Sequence, residues 1–85
     1  MSLADERKKI DRLNSEIAKL LVKRFEIADS ISQIKQQNGL PILNKNREKE
    51  VLKKLTNVSD NNKYQEKIEN IFIKIMDETK KAEEE

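Results

Sequence analysis

The chain has 85 residues, 40% of them charged and 35% hydrophobic, with no cysteine and no histidine. That excludes disulfides and thiolate metal sites, and removes the commonest metal ligand and the commonest general base. Eighteen basic against sixteen acidic residues leave only +2, so net charge argues for neither a nucleic-acid nor a membrane partner.

No apolar run approaches the roughly 20 residues that span a bilayer, and no signal-peptide core opens the chain. A soluble, cytoplasmic protein is expected. The only glycine and the only proline, Gly39 and Pro41, fall together and mark the first break. A polar cluster from Thr56 to Asn62 marks the second. The stretches left, about 3–36, 45–56 and 62–83, are rich in Glu, Lys, Leu, Ile and Ala. They predict three helices, one very long, in a single all-α domain over 1–85.

In the first stretch Leu3, Ile10, Ile17 and Ile31 alternate with Leu13, Leu20, Ile27 and Ile34 as heptad a and d positions. A helix of this length runs roughly 50 Å, too long to bury its stripe against itself. The two shorter helices would cover it only by lying end to end. Chains this short also gain little from one core, so an intertwined homodimer is the simpler arrangement. Asn44 is placed to cap the second helix, and Asn61 or Asn62 the third. Residues 80–85 are expected to fray.

Charges fall where this pattern wants apolar residues. Arg24 interrupts the a series, either as a register-setting or snorkelling residue or as part of a site. Lys35 lies 11 residues on, within roughly 20° of the same direction, with the small Ala28 between them. Arg24 and Lys35 thus look out along one line with room between, although Lys35 also suits a helix C-terminus. Arg7 sits roughly 25 Å before Arg24 along the helix, so it reads first as an exposed surface residue; in an antiparallel dimer a partner's copy could reach the same small ligand.

In the second helix, Arg47 and Glu48 each precede an apolar residue by four, Val51 and Leu52. They continue the apolar stripe, as a structural salt bridge or as a ligand site. In the third, Ile68, Ile71, Phe72, Ile75 and Met76 lead at four-residue spacing to Thr79 and Glu83. The sum suggests a preorganised cationic pocket for a small anion, a carboxylate. No glycine-rich phosphate loop, no nucleophile–base set and no clustered-carboxylate metal site accompanies it, and Phe25, Tyr64 and Phe72 are too scattered to stack bases. An enzyme so composed relies on position and electrostatics. The competing reading is a non-catalytic helical interaction module in which Arg24 only sets register.

Several segments resemble the all-helical, AroQ-type chorismate mutases. They are Arg7-Lys8-Lys9-Ile10-Asp11, Leu20-Leu21-Val22-Lys23-Arg24, Ile34-Lys35 and Pro41-Ile42-Leu43-Asn44-Lys45-Asn46-Arg47-Glu48. The resemblance spans about Asp5 to Glu83 and is strongest in the Arg24, Lys35, Arg47-Glu48 spacing. It implies an intertwined homodimer and the Claisen rearrangement of chorismate to prephenate, on the route to phenylalanine and tyrosine, without a cofactor. By position, Arg24 and the partner's Arg7 would grip the substrate carboxylates. Lys35 would hold a carboxylate and donate to the ether oxygen, and Glu48 would accept from the ring hydroxyl. Arg47 would orient neighbouring groups, while Asn44 and Thr79 would complete substrate binding.

Two positions depart from the commonest pattern of that family. Asn44 stands where Asp is frequent, which matters little if the backbone binds there. Glu83 stands where many members have Gln as a second donor to the ether oxygen. An ionised Glu cannot donate, so activity should rise towards acidic pH, or Glu83→Gln should raise kcat near neutrality. Isochorismate pyruvate lyase chemistry on the same fold is a further alternative, although the Arg47-Glu48 context leans to the mutase.

Overall fold

The computed structural model describes residues 2–41, 45–56, 58 and 63–84, which form three helices: α1 (Leu3–Gln37), α2 (Lys45–Lys54) and α3 (Gln65–Glu84). No strand occurs among the described residues. Asn44, Asn61 and Asn62, expected as caps, lie outside them.

Both ends of α1 are chemically specified. The Ser2 hydroxyl accepts from the Asp5 amide at 3.1 Å, and Asp5 and Glu6 place negative charge at the positive end of the helix dipole. At the other end Gly39, at φ 65°, donates to the Gln36 carbonyl, and the Leu40 amide donates to the Lys35 carbonyl at 2.8 Å. That is the paired bonding of a Schellman C-cap, which needs a left-handed residue and so selects glycine.

The shorter helices differ slightly from the expected bounds. At the end of α2 the Leu55 amide is shared between the Val51 and Leu52 carbonyls, both at 3.2 Å, and Thr56 donates to Lys53. The helix tightens there and closes at Lys54. Helix α3 starts at Gln65, not at 62, because the Tyr64 carbonyl accepts its first bond, from Ile68. Lys63 and Tyr64 form the turn before it, with the Lys63 ammonium 5.3 Å from the Tyr64 ring centre. Helix α3 runs to Glu84, through the residues expected to fray.

Helix α3 packs on α1, and α2 packs on α3. On α1 the least exposed positions beyond the first turn are Leu21, Arg24, Phe25, Ala28, Ser32 and Lys35, a stripe at spacings of three and four. It meets the heptad seam at Arg24 and otherwise runs beside it. The seam residues Leu3, Ile10, Leu13, Ile17, Leu20, Ile27, Ile31 and Ile34 remain 43–65% exposed. Only Ala28 and Ser32 are buried among the described residues.

The single chain is therefore long and thin, 55 × 25 × 15 Å, with a radius of gyration of 16.0 Å. A compact chain of this length would have about 12 Å. Its accessible surface of 7313 Å² also exceeds the roughly 5,200 Å² of a compact 10 kDa protein. The apolar seam thus stays bare along the length of α1 in the single chain.

Candidate active site

Where the second half of α1 faces α3 and the start of α2, the helices enclose a cleft of about 350 Å³. This is near the lower end for small-molecule sites and suits a compact ligand. Arg24 and Lys35 of α1, Arg47 and Glu48 of α2, and Thr79, Lys80 and Glu83 of α3 all line it, between Ile27, Ala28, Ile31, Val51 and Met76.

Two polar links tie α1 to α3 inside the cleft. The Arg24 guanidinium donates to the Thr79 hydroxyl at 2.6 Å, and that hydroxyl donates in turn to the Ile75 carbonyl at 2.7 Å. The Lys35 ammonium lies 3.6 Å from the Glu83 carboxylate, with the two side chains only 20% and 9% exposed. Arg24 and Lys35 are 11 residues apart, about 16 Å by helical rise, whereas Thr79 and Glu83 are one turn apart, about 6 Å. The two cationic side chains thus lean towards each other over Ala28. Its 5% exposure and single methyl make it the floor of the space between them.

The α2 pair behaves differently from the sequence expectation. Arg47 is not on a buried stripe: its side chain is 58% exposed, and it pairs with Glu50 at 3.2 Å one turn along the same helix. Position 47 faces the cleft from its rim, where a long side chain keeps its charged end in water. Glu48 is half-buried and faces inward. No hydrogen bond from a described residue reaches its carboxylate, which leaves that acceptor for a ligand.

Of the sequence-predicted site residues, then, the cleft brings together Arg24, Lys35, Arg47, Glu48, Thr79 and Glu83. Arg7 of the same chain does not line it. It lies exposed on the projecting first half of α1, about 25 Å before Arg24. Asn44 is outside the described residues. Lys80, by contrast, lines the cleft although its place near the chain end suggests a fraying tail. The signal was its spacing, since it lies four residues after Met76 and so continues the inward face of α3. No group of acids able to hold a metal occurs among the described residues, and no helix among them is long and apolar enough to cross a membrane.

The fold and the site define an all-helical domain whose cleft gathers cations for a small anion. The family model for chorismate mutase type II matches residues 6–84, and the chain belongs to that family. It is 34% identical over 80 residues to a chorismate mutase of Methanocaldococcus jannaschii, covering 94% of this chain and 81% of that one. It is 42% identical over 53 residues to a bifunctional chorismate mutase/prephenate dehydratase of Aquifex aeolicus, and 40% identical over 47 residues to a T-protein of Haemophilus influenzae. Those matches take in 62% and 55% of this chain but only 15% and 12% of the two larger proteins. No solved structure matches the chain.

Proposed function

We propose that this protein is a chorismate mutase, converting chorismate to prephenate in the cleft between α1, α2 and α3. One observation carries the reading: in a member of this family, Arg24, Lys35, Arg47 and Glu48 converge with Thr79 and Glu83 on one cavity of ligand size. In the rearrangement an ether C–O bond breaks as a C–C bond forms within one molecule. No proton, electron or external group is exchanged. The work left for the protein is to hold a dianion in its reactive fold and to stabilise negative charge growing on the ether oxygen.

The residues divide that work. Arg24, held in place by Thr79, grips one carboxylate in the bidentate manner suited to a guanidinium. Lys35 holds a carboxylate and donates towards the ether oxygen. Glu48 accepts from the ring hydroxyl, Arg47 adds positive potential from the rim, and Asn44 takes part in substrate binding. Glu83 faces the same ether oxygen and assists only as the protonated acid.

The bare heptad seam supports an intertwined homodimer, in which the partner's Arg7 completes the second carboxylate contact. Cytoplasmic aromatic amino-acid biosynthesis is the corresponding setting. The direct test is chorismate absorbance on adding purified protein, with the product identified. Loss of chorismate with formation of prephenate supports the reading; an unchanged signal, or release of pyruvate from isochorismate alone, contradicts it.

A further inference from the structure

Lys80 stands at the junction of two cavities. It lines the main cleft, and it also lines a smaller recess of about 190 Å³ that adjoins it, which Glu48 and Met76 share. The residue is half-buried. The acid one turn before it, Asp77, is engaged by Lys81 at 3.4 Å and Lys74 at 3.9 Å. The acid one turn after it, Glu83, is engaged by Lys35. Lys80 itself forms no ion pair with a described residue.

We propose that Lys80 is a substrate-binding cation, whose ammonium receives a carboxylate of the bound dianion where the two cavities meet. The inference rests on the cleft's being a chorismate site. Charge within the cleft favours it. Glu83 offsets much of the positive charge of Lys35, and Glu48 brings a second negative charge. Without Lys80 the main cleft sets three cations of this chain against two carboxylates; with it, four against two. The adjoining recess adds the Asp77 carboxylate, itself held by Lys81 and Lys74. A cation that lines the cleft and has no ion-pair partner among the described residues is also the group that gains most when an anion arrives. The contact lies on a carboxylate and away from the breaking bond, so it holds ground state and transition state alike and acts on KM.

Steady-state kinetics of Lys80→Met and Lys80→Arg in the full-length protein test this. Methionine keeps the aliphatic stem and its packing while removing the charge; arginine keeps the charge. The expected result is a KM about tenfold higher for Lys80→Met with kcat within about threefold, a KM within about twofold of the unsubstituted protein for Lys80→Arg, and a shallower rise of KM with salt in the methionine variant. If the unsubstituted protein turns chorismate over and Lys80→Met leaves KM and its salt dependence unchanged, Lys80 only packs and the assignment is overturned. If the unsubstituted protein converts no chorismate at all, the functional reading falls first and the assignment with it.

Discussion

The Lys35 ammonium and the Glu83 carboxylate meet 3.6 Å apart, joining the end of α1 to the end of α3 inside the cleft. This contact places an acid beside the cation expected to act on the ether oxygen. An ionised Glu83 draws positive charge from Lys35 and opposes the negative charge that grows during reaction; a protonated Glu83 does neither and can donate. The sign follows: removing the charge at position 83 while keeping a donor favours the reaction. Glu83→Gln should raise kcat, by about tenfold if one donor is restored. A substitution without effect on kcat would exclude the role.

Thr79 is predicted to act through Arg24. Its hydroxyl takes a hydrogen bond from the guanidinium and passes one to the Ile75 carbonyl, so it fixes where the guanidinium points. Thr79→Val keeps the shape but removes the acceptor. The expected cost is about 1 kcal/mol in thermal unfolding and about a tenfold loss of kcat/KM, with Thr79→Ser restoring both. Retention of full activity in Thr79→Val would show that Arg24 positions itself.

The uncovered seam on α1 predicts a dimer, checked by sedimentation equilibrium. Ile17→Glu or Leu20→Glu, each placing a charge on a residue more than half exposed in the single chain, should dissociate it and abolish activity. If the partner's Arg7 completes each site, Arg7→Ala and Arg24→Ala proteins are both inactive alone. Mixed and re-equilibrated, they should recover up to about a quarter of the unsubstituted activity, because half of the dimers are hybrids with one intact site of two. No recovery on mixing would place Arg7 outside the site.

On the outer face of α3, the Lys74 and Lys81 ammonium groups hold the Glu78 carboxyl below its usual range, the bond from Lys74 most of all. The Asp77 carboxylate, with Glu78, raises the Lys81 ammonium. Stability from Glu78 is present above its unfolded value and lost as pH falls through the folded one. Stability from Lys81 is present below its unfolded value and lost as pH rises through the folded one. Both groups are solvent-exposed, so screening should erase the effect. Glu78→Gln should lower the melting temperature slightly in dilute buffer and not at all in about 1 M salt, where the screening length is about 3 Å. An equal loss in both would point to lost packing instead.

Much of the site was legible because helical periodicity alone fixes direction. Arg24 and Lys35 are 11 residues apart, and Thr79 and Glu83 are four apart, so each pair shares a face wherever its helix lies. What periodicity does not fix is which stripe meets which neighbour. The heptad seam looked like the buried face of α1, yet α3 takes the stripe beside it, through Leu21, Phe25, Ala28 and Ser32. The seam residues stay exposed in the single chain. Arg47 shows the opposite limit: a four-residue step from Val51 suggested burial, but α2 is short and lies at the rim. Lys80 was hidden by its place near the end of the chain, where charge usually means a solvated tail. The Lys35–Glu83 pair anchors that end instead, and so brings Lys80 to the cleft.

The convergent cations of this cleft are predicted to carry out the rearrangement. Chorismate turnover by Arg24→Ala and Lys35→Ala, with helix content followed by circular dichroism, tests it most directly. The prediction is a loss of about a thousandfold or more in kcat/KM for each, in proteins that keep the unsubstituted helix content. Near-unsubstituted turnover in either variant would contradict it.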